Sequence, residues 1–196
     1  MPLQRPTSEQ LDSATPEEVA ALAADCLNRL EPGRQPLALF TELTRLVVSS
    51  EVQLVPFRAE SAGSQVLLGK RLDTDKWWPN QWEVPGVILL ANEEQTGPTG
   101  YEGPVKRILD SEFKSTVNQT ADISVFDVKQ ISGTRGCEQV VYCLTEVELA
   151  AGIAEPAGGA FFDIAEVLTS PPDGGLVEGH AQTLAIAHRH FLATRA

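Results

Sequence analysis

The segment that most constrains this chain's fold runs from residue 65 to residue 86. An apolar strand pattern, Gln65-Val66-Leu67-Leu68-Gly69-Lys70-Arg71, leads into Trp77-Trp78-Pro79-Asn80-Gln81-Trp82-Glu83-Val84-Pro85-Gly86. That second run holds all three tryptophans of the protein. Large rings crowded among Pro, Asn and Gly mark a corner where a strand turns. Such a corner either seals a core or rims a ligand site. Upstream, Val52, Leu54 and then Phe57 after Pro56 read as strand, and a Ser-Ala-Gly-Ser turn at 61–64 predicts a hairpin over 51–71.

Other elements follow from their periods. Thr15-Pro16-Glu17-Glu18 is a helix start: Thr15 caps, Pro16 suits the first turn and Glu18 completes a capping box. Val19, Leu22, Ala23, Cys26, Leu27 and Leu30 form its apolar stripe, and Glu31-Pro32-Gly33 stops it. A second helix is expected from Pro36, with Leu39, Phe40, Leu43, Leu46 and Val47 on one side. Both stripes are expected to be core. Gly103-Pro104 opens a further helix that buries Val105, Ile108, Leu109 and Phe113. Residues 124–131, 139–147 and 160–164 read as strands, 165–168 as a helical turn, 171–175 as a loop and 178–194 as the last helix. Strands and helices mixed in this order imply an α/β or α+β sandwich.

Composition narrows the function classes. The net charge is −12, from 27 acidic and 15 basic residues. This argues against a nucleic-acid backbone as the main partner, which needs clustered Lys and Arg. It leaves room for small anions, since a divalent cation reverses the local field. No apolar run reaches membrane-span length and the start lacks a signal-peptide stretch, so the expectation is a cytoplasmic protein with no membrane partner. Cys26, Cys137 and Cys143 show no CxxC spacing and are expected as buried or half-buried free thiols. His180, His188 and His190 show no metal-binding pattern.

The order Val-Leu-Leu-Gly-Lys-Arg, then Trp-x-Pro-x-x-Trp-x-x-Pro-Gly, then an acidic loop and helix, resembles the opening of a Nudix hydrolase domain. Val140-Val141-Tyr142-Cys143-Leu144, the segment from Phe161 to Leu168 and the C-terminal helix fit in order, so the resemblance covers residues 50–192. It implies an α/β fold: a Nudix-like α/β/α sandwich with a mixed sheet at 49–196, plus an N-terminal helical extension at 1–48. It also implies metal-assisted cleavage of a nucleoside diphosphate linked to another moiety, with Mg²⁺ or Mn²⁺ as cofactor. Those hard ions want carboxylate oxygens, and glutamates three and four residues apart converge on one helix face.

Laid on the family signature Gly-x5-Glu-x7-Arg-Glu-U-x-Glu-Glu-x-Gly-U, Glu93 fits the isolated glutamate and Arg107 the arginine, after an insertion at 96–103. Glu112 fits the last glutamate. The resemblance thus makes Glu112 and Glu93 the metal-binding and catalytic acids and Arg107 an orienting residue, or one that only ties down the loop. Glu94, Glu102 and Asp110 are alternative acids, although Asp110 lies on the other side of the helix from Glu112. Trp78 and Trp82 are candidates to stack on a flat group, and Arg71 to meet phosphates; Lys70 reads as a solvated strand residue. The chain also departs from the signature. Val87 and Lys114 stand at glycine positions, and Ile108 and Ser111 replace two glutamates. This keeps a second reading open: a catalytically impaired nucleotide- or metabolite-binding module. A third is an interaction module working through the N-terminal helices, and a homodimer interface is the alternative to core for their two apolar stripes.

Overall fold

The computed structural model describes residues 13–27, 29–30, 38–39, 42–43, 48–60, 63–90, 96–133 and 136–195. The chain divides into two compact units, Met1–Arg34 and Gln35–Ala196. In the first, α1 (Pro16–Leu27) starts with the expected capping box. The Thr15 amide donates to Glu18 Oε2 at 2.8 Å and the Glu18 amide to Thr15 Oγ1 at 3.3 Å. Its stripe is not core, contrary to the sequence expectation: no residue of α1 is buried, and Val19, Cys26 and Leu27 are exposed. Four of its twelve residues are alanines, which favour the helix but offer little apolar area to bury. Most of the second expected helix lies outside the described residues.

The second unit is built on a mixed sheet. Its elements are β1 (Ser49–Glu60), β2 (Gly63–Lys70), β3 (Trp82–Glu83), β4 (Gly86–Ile88), α2 (Glu102–Glu112), β5 (Val117–Gln119), β6 (Ser124–Gly133), β7 (Gly136–Leu149), β8 (Gly159–Asp163), α3 (Ile164–Thr169) and α4 (His180–Ala193). β1 is central. It runs parallel to β7, with Val52 opposite Val141 and Leu54 opposite Cys143, and antiparallel to β2 and β4. β2 continues outward to β3 and β8, while β7 carries β6 and β5.

Because side chains alternate along a strand, the sheet buries both faces. On one, Val52, Leu54, Leu67 and Cys143 pack with Val105, Ile108, Leu109 and Phe113 from α2 and the residue after it. On the other, Val55, Phe57, Val66 and Leu68 pack with Ile164 and Val167 of α3 and with Leu184, Ala187 and Phe191 of α4. The Phe57 and Phe191 rings stack with centroids 4.4 Å apart, and each buried ring contributes about 2–3 kcal/mol. Helices on both faces of a mixed sheet make the expected α/β/α sandwich. Burial pushes the Cys143 thiol up to about 12, so it is an inert core group.

Candidate ligand site

The tryptophan corner is organised by Asp75. Its Oδ1 accepts from the backbone amides of Trp77 at 2.9 Å and Trp78 at 2.8 Å. Its Oδ2 accepts from Arg71 Nη1 at 2.8 Å. Arg71 also forms an ion pair through Nη2 with Glu83 Oε2 on β3. The two carboxylates more than offset the burial of the guanidinium and hold its pKa above the ordinary value. The Arg71 guanidinium lies 5.1 Å from the Trp78 ring centre. Trp78, Arg71 and Glu83 therefore form one group.

Glu83 is the residue the sequence reading missed. Its side chain is 13% exposed. Burial raises its carboxyl to about 7; Arg71 opposes this, while the charges of Glu112 and Glu51 add to it. Burial is the largest of these effects and outweighs Arg71, so the carboxyl stays high despite the ion pair. The signal available in sequence was an acid embedded in an apolar corner, Trp-Glu-Val-Pro-Gly, where solvation is scarce. Glu51 sits on the central strand, 5% exposed, and accepts from Gln53 Nε2 at 3.0 Å. Gly86, opposite Gln53, leaves space for this pair: a Cβ there would lie 2.6 Å from Glu51 Oε1.

Trp82 lies elsewhere. Neighbouring strand residues point to opposite faces, so its ring lies away from the Glu83 carboxylate. It meets Phe162 edge-on at 4.7 Å, and Lys70 Nζ sits 4.4 Å from its centre. Lys70 is thus packed on the indole and reaches Asp173 O at 3.3 Å. Trp82, Phe162, Glu166, Val167, Ser170 and Asp173 line a shallow cleft of about 370 Å³ on the α3 side of the sheet.

On α2, Glu112 is exposed at the last turn, close enough for its charge to act on Glu83. Arg107 Nη2 donates to the Ile88 carbonyl at 2.9 Å. Asp110 pairs with Lys106 and accepts from Ser115 Oγ at 2.9 Å, and these donors hold its carboxyl below the usual range. Glu102 Oε1 accepts from the Thr99 amide at 3.2 Å and hydroxyl at 3.0 Å, which offset a burial effect and lower its pKa. Asp110 and Glu102 therefore serve the helix and the loop before it. Glu93 and Glu94 lie outside the described residues.

A divalent ion needs several oxygen ligands converging on one point. Among the described residues no group of three or more His, Cys, Asp or Glu side chains is placed to hold one. Glu83 already engages Arg71, and Ile108, at a glutamate position of the signature, is fully buried among apolar side chains. The described donor set does not fit the metal.

No family model and no curated protein matches the sequence. Solved structures do. The Nudix domain of Shewanella oneidensis NrtR, complexed with ADP ribose, is 18% identical with a TM-score of 0.55, over 86% of this chain and 97% of that one. NrtR from the same organism, complexed with a 27mer DNA, is 19% identical with a TM-score of 0.55; there the match covers 73% of this chain and 62% of that one. A mutT/nudix family protein from Listeria innocua is 19% identical with a TM-score of 0.51, over 74% and 95%. The layered sheet and its agreement with these structures show that this chain carries a Nudix-fold domain.

Proposed function

We propose that the domain is a binding module for a nucleoside diphosphate linked to another group, and that it lacks the ordinary metal-dependent hydrolysis. The observation that carries this reading is Ile108. It is 0% exposed and belongs to the apolar cluster under α2, where the signature has a metal-binding glutamate. The Trp78–Arg71–Glu83 group gives such a ligand a flat stacking surface and hydrogen-bonding groups. The structural neighbour complexed with ADP ribose supports that ligand class.

A second reading rests on Glu83. A carboxyl held near 7 beside Glu112 has the proton affinity of a general base, which favours slow hydrolysis. One experiment separates the two. ADP ribose is titrated calorimetrically with and without Mg²⁺ or Mn²⁺, and the mixture is then assayed for AMP. Saturable binding without AMP supports the binding module. Metal-dependent AMP formation that disappears in Glu112→Gln overturns it.

A further inference from the structure

The backbone amide of Val84 is buried, and Val84 is 1% exposed. β3 ends one residue earlier, at Glu83. A buried amide has to find an acceptor. It finds one 96 positions away: Val84 N donates to His180 Nδ1 at 2.8 Å. The donor is a backbone N–H, so Nδ1 carries the lone pair and the imidazole is neutral, with its proton on Nε2. His180 is the first residue of α4 and follows Gly179, whose φ of 84° turns the chain into the helix.

The segment leading to His180 is a strap along the same stretch. The Trp82 amide donates to Gly175 O at 2.9 Å, and the Val177 amide donates back to Trp82 O at 2.9 Å. Trp82 Nε1 donates to Asp173 O at 2.9 Å, and Trp82 forms a parallel bridge with Leu176. The residues on both sides of Glu83 are thus hydrogen-bonded to residues 173–180. The Glu83 carboxylate projects to the opposite face, toward Arg71 and Glu112.

We infer that His180 is a positioning residue for the ligand site. By accepting from Val84, it fixes the backbone from which Glu83 reaches Arg71. This rests on the binding reading above, in which the Glu83–Arg71 pair contacts ligand. A histidine that only fills the core would tolerate any ring of similar size; this one has to supply an acceptor at the γ-linked position. Asparagine supplies such an acceptor, and phenylalanine does not.

The test compares His180→Phe with His180→Asn in the full chain at one fixed pH. Three quantities are read: the Kd for ADP ribose, hydrogen exchange at the Val84 amide against the core amide of Leu54, and the NMR shift of the Glu83 carboxyl. His180→Phe should weaken binding about tenfold, the equivalent of one lost hydrogen bond, while His180→Asn stays within about twofold. Val84 exchange should rise in the Phe variant more than Leu54 exchange, and the Glu83 signal should move. Equal behaviour of the two variants, or a rise at Val84 no larger than at Leu54, overturns the inference. If the wild type fails to bind ADP ribose, the binding reading falls, and the exchange and carboxyl signals still decide the role of His180. If His180→Phe does not fold, His180→Gln replaces it. Its acceptor is displaced by one bond, so wild-type values in all three readouts would count against positioning.

Discussion

The guanidinium of Arg107 donates to the carbonyl of Ile88 at 2.9 Å, across 19 positions of sequence. This bond runs from α2 to the last residue of β4, next to the ladder bond from the Leu89 amide to Ser50 O at 2.8 Å. Arg107→Ala removes a charge-assisted donor to a part-buried carbonyl and should destabilise the domain by about 1–2 kcal/mol in a urea titration. The effect should be local, with hydrogen exchange at the Leu89 amide rising first. Unchanged exchange there would show that Arg107 does not hold this end of the strand.

The Glu83 carboxyl predicts an unusual pH dependence. Its folded pKa is raised from 4.5 to about 7, so between those values the folded protein keeps a proton that the unfolded chain has released. Stability from this group is full below about pH 4.5, falls as pH rises toward 7, and is flat above. The span is about 3 kcal/mol, because each pH unit between the two values is worth roughly 1.4 kcal/mol. Urea midpoints of wild type and Glu83→Gln should be compared from pH 4 to pH 8. The difference between them should grow with pH in the direction that favours the glutamine variant. A difference independent of pH would mean that the carboxyl titrates normally.

Gly86 lies at the end of the corner because nothing larger fits. A Cβ there would stand 2.6 Å from Glu51 Oε1, 3.0 Å from Gln53 Cγ and 3.2 Å from Val52 O. Glu51 and Gln53 are both buried and hydrogen-bonded to each other, so neither can swing out freely. The backbone oxygen is fixed by a strand whose Leu54 amide bonds Pro85 O at 2.9 Å. Gly86→Ala should cost about 1–3 kcal/mol by chemical denaturation. A loss under about 0.5 kcal/mol would show that the pair of side chains yields.

How far the sequence could be read depends on the distance over which each feature is encoded. The hairpin, the capping box at Thr15 and the helix opening at Gly103-Pro104 are local patterns; the first two are found where their residues stand, and the helix begins one residue earlier than expected, at Glu102. β3 and β4 have two and three residues, too few for a period to show. The Asp75 turn and the Arg71–Glu83 pair require Arg71 and Glu83 to meet after the chain has turned, which spacing alone does not reveal. The stripe of α1 had the right period but the wrong fate, because its alanines present so little area. Trp82 and Trp78 looked equivalent in the run, and strand alternation places the Trp82 ring with Phe162, on the face away from Glu83.

The two departures from the metal-binding signature are not equivalent. Ile108 is fully buried, packed with Val105, Leu109 and Phe113, whereas Ser111 is exposed on the same helix. Restoring glutamate at position 108 buries an uncompensated carboxylate among apolar groups. Ile108→Glu should therefore lose at least about 3 kcal/mol and create no AMP-forming activity. Ser111→Glu places the same group in water and should change stability by no more than about 0.5 kcal/mol. The double variant should fold no better than Ile108→Glu. Denaturant titration gives the ordering, and AMP formation from ADP ribose with Mg²⁺ gives the functional outcome. A stable Ile108→Glu variant that gains metal-dependent turnover would show that this helix still has room for the family's glutamates, and would remove the observation on which the binding reading stands.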